Sequence, residues 1–178
     1  MNFLGTIAQK AGEAGLPFLV IGGYAVMAHG FPRATDDLDL LVQGGRRDQW
    51  RRLLEGLGME VYREAPVFMQ FNPPGGGGLP VDLMFVAEEV FERMRADAEP
   101  ASVEGSSFGV VSLLHLIALK CHAIRHGKSH RSVKDAEDLI QLIIINRLDL
   151  NEPEIRATIL KHGDHELYDK LRRSCVSE

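Results

Sequence analysis

The sequence predicts a mixed α/β (α+β) protein: a small mixed sheet flanked by helices over residues 1–111, then a helical C-terminal part over 112–178 packed on that core. Three observations carry this expectation. Short apolar β-like runs alternate with helical spacing through the first half. Beyond residue 111, successive segments keep the i, i+3, i+4 apolar spacing of helices. The 178 residues, 45% apolar and 25% charged, match an ordinary soluble domain able to bury a core and fold alone.

Taken in order, "FLGTIAQKAGEAG" has helical spacing and stops at Gly15, with Pro17 beyond it as a common helix exit. "FLVIGG" reads as a short buried strand halted by Gly22 and Gly23, and "YAVMAHG" as a short helix. "DDLDLLV" is the next strand. "RRDQWRRLLEGLG" is an amphipathic helix with Trp50, Leu53, Leu54 and Leu57 on one face. "EVYRE" and "VFMQFN" are β-like runs separated by a turn containing Pro66, and "PPGGGG" breaks the chain before a further strand, "LPVDLMFV". The glycine run reads as a hairpin loop, since a phosphate loop needs GxxxxGK[ST] between strand and helix. "AEEVFERMRADA" is helical and "FGVV" is briefly β-like. "SLLHLIALKCHAIRH", "SVKDAEDLIQLIIINR", "EPEIRATILKHG" and "DHELYDKLRRS" complete the helical part.

Bulk properties narrow the function classes. Two cysteines, Cys121 and Cys175, with no CxxC pair argue against a disulfide framework or a thiolate zinc site and suit a reducing, cytoplasmic compartment. The N-terminus lacks a basic stretch leading into an apolar core, and no run of about 18 apolar residues suggests a membrane span. A net charge of −5 disfavours non-specific coating of DNA. Against that average, "KCHAIRHGKSHRSVK" holds five Lys or Arg and three His with no acid, either a solvated helix end and loop or a patch for anions.

The chemistry is concentrated in "RATDDLDLLV". Side chains alternate along a strand, so Asp37 and Asp39 are expected on one face while Leu38 and Leu40 turn into the core. Carboxylates held side by side repel unless protonated or bridged by cations, and oxygen pairs of this kind suit Mg²⁺ or Mn²⁺. The competing reading is that Asp36 and Asp37 cap a turn and Asp39 stands alone. "PVDLMF" supplies a third acid: Val81, Leu83 and Phe85 turn inward and Asp82 faces the other way. Three acids from neighbouring strands form a site for two metals roughly 3.5 to 4 Å apart, the arrangement used for in-line displacement at phosphorus. An exposed edge-strand face is the alternative for Asp82. Gly22 and Gly23, between strand and helix, let a polyphosphate approach bare backbone, or simply serve a turn with positive φ.

The ordered set of "GG", "RATDDLDLLV" and "VDLMF" resembles the nucleotidyltransferase superfamily related to DNA polymerase beta, over roughly residues 18–86. Arg33, Thr35, Asp37 and Asp39 are similar to the RxTxDxD form of AbiEii-like type IV toxin nucleotidyltransferases and of some antibiotic nucleotidyltransferases. "LLHLIALKCHAIRHGKSHRSVKDAEDL" resembles the lysine-bearing helix and KDxxDL segment of the toxin-like enzymes. The resemblance implies the nucleotidyltransferase fold and Mg²⁺ (or Mn²⁺) held by Asp37, Asp39 and Asp82. It also implies an NTP such as ATP as substrate, with Gly22 and Gly23 at its phosphates. Arg33, Thr35, Lys120, Lys134 and Asp135 would join the nucleotide site, and Asp138 would help organise the base or the lysines. RNA, tRNA or a small molecule would be the acceptor, and a cognate antitoxin protein a partner. Gly23 stands where many members have Ser, so only its N–H could serve the phosphates. A non-catalytic antitoxin-like or regulatory nucleotide-binding module and an antibiotic nucleotidyltransferase are the alternatives.

Several other residues have blander roles open to them. Ser132 with Asp135 spells a capping box, SxxD, which competes with a site role for Asp135. Asp138 in an early helical turn would suit the helix dipole. His122 and His126, spaced i, i+4, could share a metal, but Lys120 and Arg125 beside them disfavour a cation. His115 reads as a satisfied, partly buried histidine, and His29 has no assigned role. Arg46, Arg47, Arg51 and Arg52 form a basic helix face, solvated or in contact with an RNA backbone. Cys121 lacks a base partner for nucleophilic work. "LIQLIIIN" is a buried core helix or a dimer surface.

Overall fold

A computed structural model describes residues 3–127 and 129–175, with backbone alone at 76 and 129–132. The chain divides into two units, the first comprising Met1–Ala25 with Ala34–Ser112 and the second Val26–Arg33 with Leu113–Glu178. A division placed by composition after residue 111 does not anticipate that Val26–Arg33 belongs with the helices.

The first unit is built on a seven-stranded mixed sheet. Its elements in chain order are α1 (Phe3–Glu13), β1 (Phe18–Val20), α2 (Gly22–Ala28, which runs on into the second unit), β2 (Leu38–Gln43), α3 (Arg47–Gly56), β3 (Glu60–Ala65), β4 (Phe68–Asn72), β5 (Val81–Val86), α4 (Glu88–Ala96), β6 (Glu99–Val103) and β7 (Ser106–Val110). Across the sheet the strands run β3-β4-β5-β2-β1-β7-β6. β2 pairs parallel with β5 and β1 parallel with β7, the other pairs being antiparallel.

Alternation fixes which side of each strand is buried. Leu40, Val42, Leu83, Phe85, Met69 and Phe71 form one apolar face. Helix α3 lies on it: Arg47 stacks over the Phe85 ring with its guanidinium 4.6 Å from the centroid, and Trp50 meets Phe18 edge-on at 5.8 Å. Burying these side chains stabilises the unit by about 1.5–3 kcal/mol each. The "PPGGGG" stretch carries the chain from β4 into the antiparallel β5, the hairpin role expected of it.

Strand β6 escapes the sequence reading. "EPASV" is an exposed edge strand with no alternating apolar side, and Pro100 is tolerated because an edge strand leaves N–H positions unpaired. A turn at Glu104 (φ 48°) and Gly105 (φ 82°) folds β6 onto β7, both residues having the positive φ of a type I′ hairpin turn.

The second unit packs α5 (Leu113–His126), α6 (Ser129–Ile145), α7 (Pro153–His162) and α8 (His165–Cys175) around Ile117, Cys121, Leu139, Ile143, Ile155, Ile159, Leu167 and Leu171. Asp164 caps α8 by accepting the Leu167 N–H at 2.8 Å. The buried Tyr168 hydroxyl donates to the Leu150 carbonyl at 2.9 Å, satisfying the polar end of a core aromatic. In "LIQLIIIN", Leu139, Leu142 and Ile143 are buried while Ile144 and Ile145 are 48% and 41% exposed, so this helix is core on one side only. Asn146 donates to the His29 carbonyl at 3.0 Å and holds the 26–33 segment on the end of α6.

Helix α6 runs from Ser129, so Ser132 lies within it and not at the N-cap position that an SxxD capping box needs. Asp138 consequently lies mid-helix, where the dipole offers it nothing. No helix among the described residues is long and apolar enough to cross a membrane.

Candidate active site

The carboxylates converge in the first unit. Parallel pairing of β2 with β5 sets Asp39 directly opposite Asp82, and facing residues of paired strands project to the same side. Asp37 precedes β2 instead of lying within it, which corrects the expectation that strand alternation aligns it with Asp39. A local bond positions it: the Thr35 hydroxyl donates to Asp37 Oδ1 at 3.0 Å. Each of Asp37, Asp39 and Asp82 is partly exposed, and each offers an oxygen within 4.8 Å of the other two.

Gly22 explains the first half of the glycine pair. Its φ is +60°, in the left-handed region, and a Cβ built there would overlap the Asp39 carboxylate. The reading of that glycine as a turn with positive φ therefore holds, and the space a side chain would need is taken by Asp39. Gly23 follows it, buried, in the first turn of α2.

On the far side of Asp82, Gln70 of β4 donates to Asp82 Oδ2 at 2.5 Å. Sequence reading missed Gln70, although alternation within "VFMQF" sends Phe68 and Gln70 to the side opposite Met69 and Phe71. Hard oxygen donors gathered at this spacing, open to solvent, fit a hard divalent cation such as Mg²⁺ or Mn²⁺. Among the described residues no other trio of His, Cys or acid side chains is placed to hold a metal.

Arg33, Lys120 and Asp135 are brought together in the second unit, with Asp138. Lys120 Nζ is 2.6 Å from Asp135 Oδ1 and 2.6 Å from Asp138 Oδ2, and Arg33 Nε is 2.7 Å from Asp138 Oδ1. Lys120, Asp135 and Asp138 are buried. Two cations and two carboxylates balance in charge, which is the condition under which such groups persist away from water. Lys134 lies exposed on α6.

Other expectations resolve around these two clusters. Burial, with the Asp164 carboxylate adding to it, pushes the Cys121 thiol up to about 12, so it is protonated at neutral pH and no nucleophile. His122 and His126 are exposed with ring centroids 4.4 Å apart. The basic face of α3 is partly engaged: Arg47 and Arg51 both bond Glu64, and this holds the Glu64 carboxyl below its usual range.

No protein-family model and no curated protein matches the sequence. Solved structures do resemble the fold. The antibiotic-resistance factor ANT(2'')-Ia in solution aligns with a TM-score of 0.67 at 20% identity, over 96% of this chain and 93% of that one. An antigenic nucleotidyltransferase-like protein from Paracoccidioides brasiliensis aligns with a TM-score of 0.56 at 18% identity, over 98% and 90%. The lincosamide antibiotic adenylyltransferase LnuA, bound to lincomycin, aligns with a TM-score of 0.55 at 12% identity, over 78% and 95%. The fold is thus the mixed α/β fold of nucleotidyltransferases.

Proposed function

We propose that the protein is a metal-dependent nucleotidyltransferase that moves a nucleoside monophosphate from an NTP to an acceptor hydroxyl and releases pyrophosphate. The observation that carries this reading is the meeting of Asp37, Asp39 and Asp82, each with an oxygen within 4.8 Å of the others, beside a glycine whose side chain could only be hydrogen. The fold shared with known nucleotidyltransferases supports it.

Asp37, Asp39 and Asp82 would hold Mg²⁺ or Mn²⁺, which supplies positive charge to the phosphoryl oxygens and lowers the barrier to in-line displacement. Thr35 fixes the rotamer of Asp37. Asp82, bonded by Gln70, would hold the metal that activates the acceptor hydroxyl or take the hydroxyl proton as the oxygen attacks the α-phosphorus. Gly22 and Gly23 leave the backbone beside Asp39 bare for the β- and γ-phosphates. Lys134, exposed on α6, remains a candidate for offsetting negative charge on the departing pyrophosphate. Arg33 and Lys120, balanced by Asp135 and Asp138, act on this reading through the fold of the helical unit. NTP use and free, unbridged cysteines fit a cytoplasmic setting. A toxin-like role with a cognate antitoxin rests on the motif resemblance alone.

The test is incubation with each labelled NTP, Mg²⁺ and a panel of acceptors, comparing the wild type with Asp39→Asn. Transfer and pyrophosphate release should occur with the wild type and disappear with the variant. Equal labelling by both proteins would refute the role of Asp39, and NTP binding indifferent to divalent metal, without pyrophosphate release, would favour a non-catalytic nucleotide-binding module.

A further inference from the structure

The row of side chains bearing Asp39 and Asp82 continues beyond the carboxylates. Register places Asp39 on β2, Asp82 on β5, Gln70 on β4 and Arg63 on β3 in one line across four strands. The next line on the same face is Leu41, Met84, Phe68 and Ala65. Moving outward from Asp82, the surface therefore offers a side-chain amide, then a guanidinium, with an apolar strip alongside.

The state of these groups gives the strip a ligand preference. Arg63 is exposed and rests over the Phe68 ring, its guanidinium 5.2 Å from the centroid. Among the described residues it has no carboxylate partner, because the adjacent Glu64 faces the other side of the sheet and bonds Arg47 and Arg51. Met84 is 41% exposed, and Tyr62, at the irregularity in the β3–β4 register just before Arg63, is 54% exposed. A guanidinium with no counter-charge attracts an anion, and aromatic and guanidinium planes are surfaces on which planar rings stack. A polycationic acceptor would bring no anion to Arg63 and would leave the apolar strip uncovered.

We propose that Gln70, Arg63, Phe68 and Met84 form the acceptor platform, and that it selects an acceptor carrying an anion and a planar apolar group beside its hydroxyl. This rests on the nucleotidyltransferase reading above. A ribonucleotide carries all three features, free or at the end of an RNA: its ribose hydroxyl reaches Asp82, its phosphate Arg63, and its base the Phe68–Met84 strip. The acceptor oxygen forms the new bond to the α-phosphorus, the bond from that phosphorus to the bridging oxygen of pyrophosphate breaks, and the hydroxyl proton passes to Asp82.

The experiment measures transfer from labelled NTP with Mg²⁺ to four acceptors: a short single-stranded RNA, a ribonucleoside 5′-monophosphate, tobramycin and lincomycin. Calorimetry of Mg²⁺–NTP binding runs in parallel. Label is expected on the RNA or the mononucleotide, the better of the two identifying the source. Arg63→Gln and Arg63→Glu should raise that acceptor's KM by about ten- to a hundred-fold and flatten its salt dependence, with Mg²⁺–NTP binding retained. Phe68→Ala should raise the same KM. Preferential labelling of tobramycin or lincomycin, or an acceptor KM indifferent to both Arg63 variants, overturns the platform alone. A wild-type protein that binds no Mg²⁺–NTP overturns the nucleotidyltransferase reading and the platform with it.

Discussion

Gly22 lies so close to Asp39 that the glycine's missing side chain is part of the carboxylate's environment. A Cβ at that position would overlap the Asp39 carboxyl group, and the backbone φ of +60° already disfavours any L side chain.

Gly22→Ala is therefore expected to cost about 1–2 kcal/mol from the left-handed backbone alone. It should also displace Asp39 and abolish nucleotide transfer. Gly12→Ala is the contrast: it sits in α1 with nothing within 4 Å of its would-be Cβ, and should stabilise by about 0.4–1 kcal/mol. Urea unfolding of both variants and a transfer assay check the pair. An active, fully stable Gly22→Ala protein would contradict the geometry.

Lys120→Met should destabilise by about 3–5 kcal/mol, because it strips Asp135 of its cation and leaves Asp138 with Arg33 alone in a buried setting. Lys134→Met, at an exposed position, should stay within about 0.5 kcal/mol of the wild type. Denaturant midpoints separate the two. A Lys120→Met protein of wild-type stability that binds NTP poorly would mean the lysine serves the phosphates directly.

His162 should make the protein sensitive to mild acid. Burial lowers its pKa from the usual 6.5, and Lys161, His122 and His115 add repulsion against the charged form. With the folded value lowered, the unfolded chain takes up the proton first as pH falls. The contribution is full above about pH 6.5 and is lost as pH drops through the folded value. Melting temperatures at about pH 7.5 and pH 5 should differ less for His162→Gln than for the wild type. An identical loss in both proteins would show that other groups carry the acid sensitivity.

Much of the site is legible in the sequence because its signals are local. Alternation in "PVDLMF" turns Asp82 away from Leu83, and "VIGG" ends a buried strand on a turn, both from residues within a few positions of one another. Strand β6 is not legible, since an edge strand buries neither face and "EPASV" has no apolar period to betray it. The capping-box reading of Ser132 fails because a good local motif is overridden by a helix that already runs from Ser129.

The sequence by itself determined the identity of the acids, the faces of their strands on which Asp39 and Asp82 lie and the helical character of the second half, because burial period and propensity are written over short windows. Tertiary structure alone decided that β2 and β5 pair in parallel, so that Asp39 faces Asp82, and that Gln70 and Arg63 fall in line with them. It likewise decided that Lys120 is enclosed by Asp135 and Asp138. Strand partners, register and the closure of a buried charge cluster are chosen by the packing of segments far apart in the chain, and no local pattern encodes them.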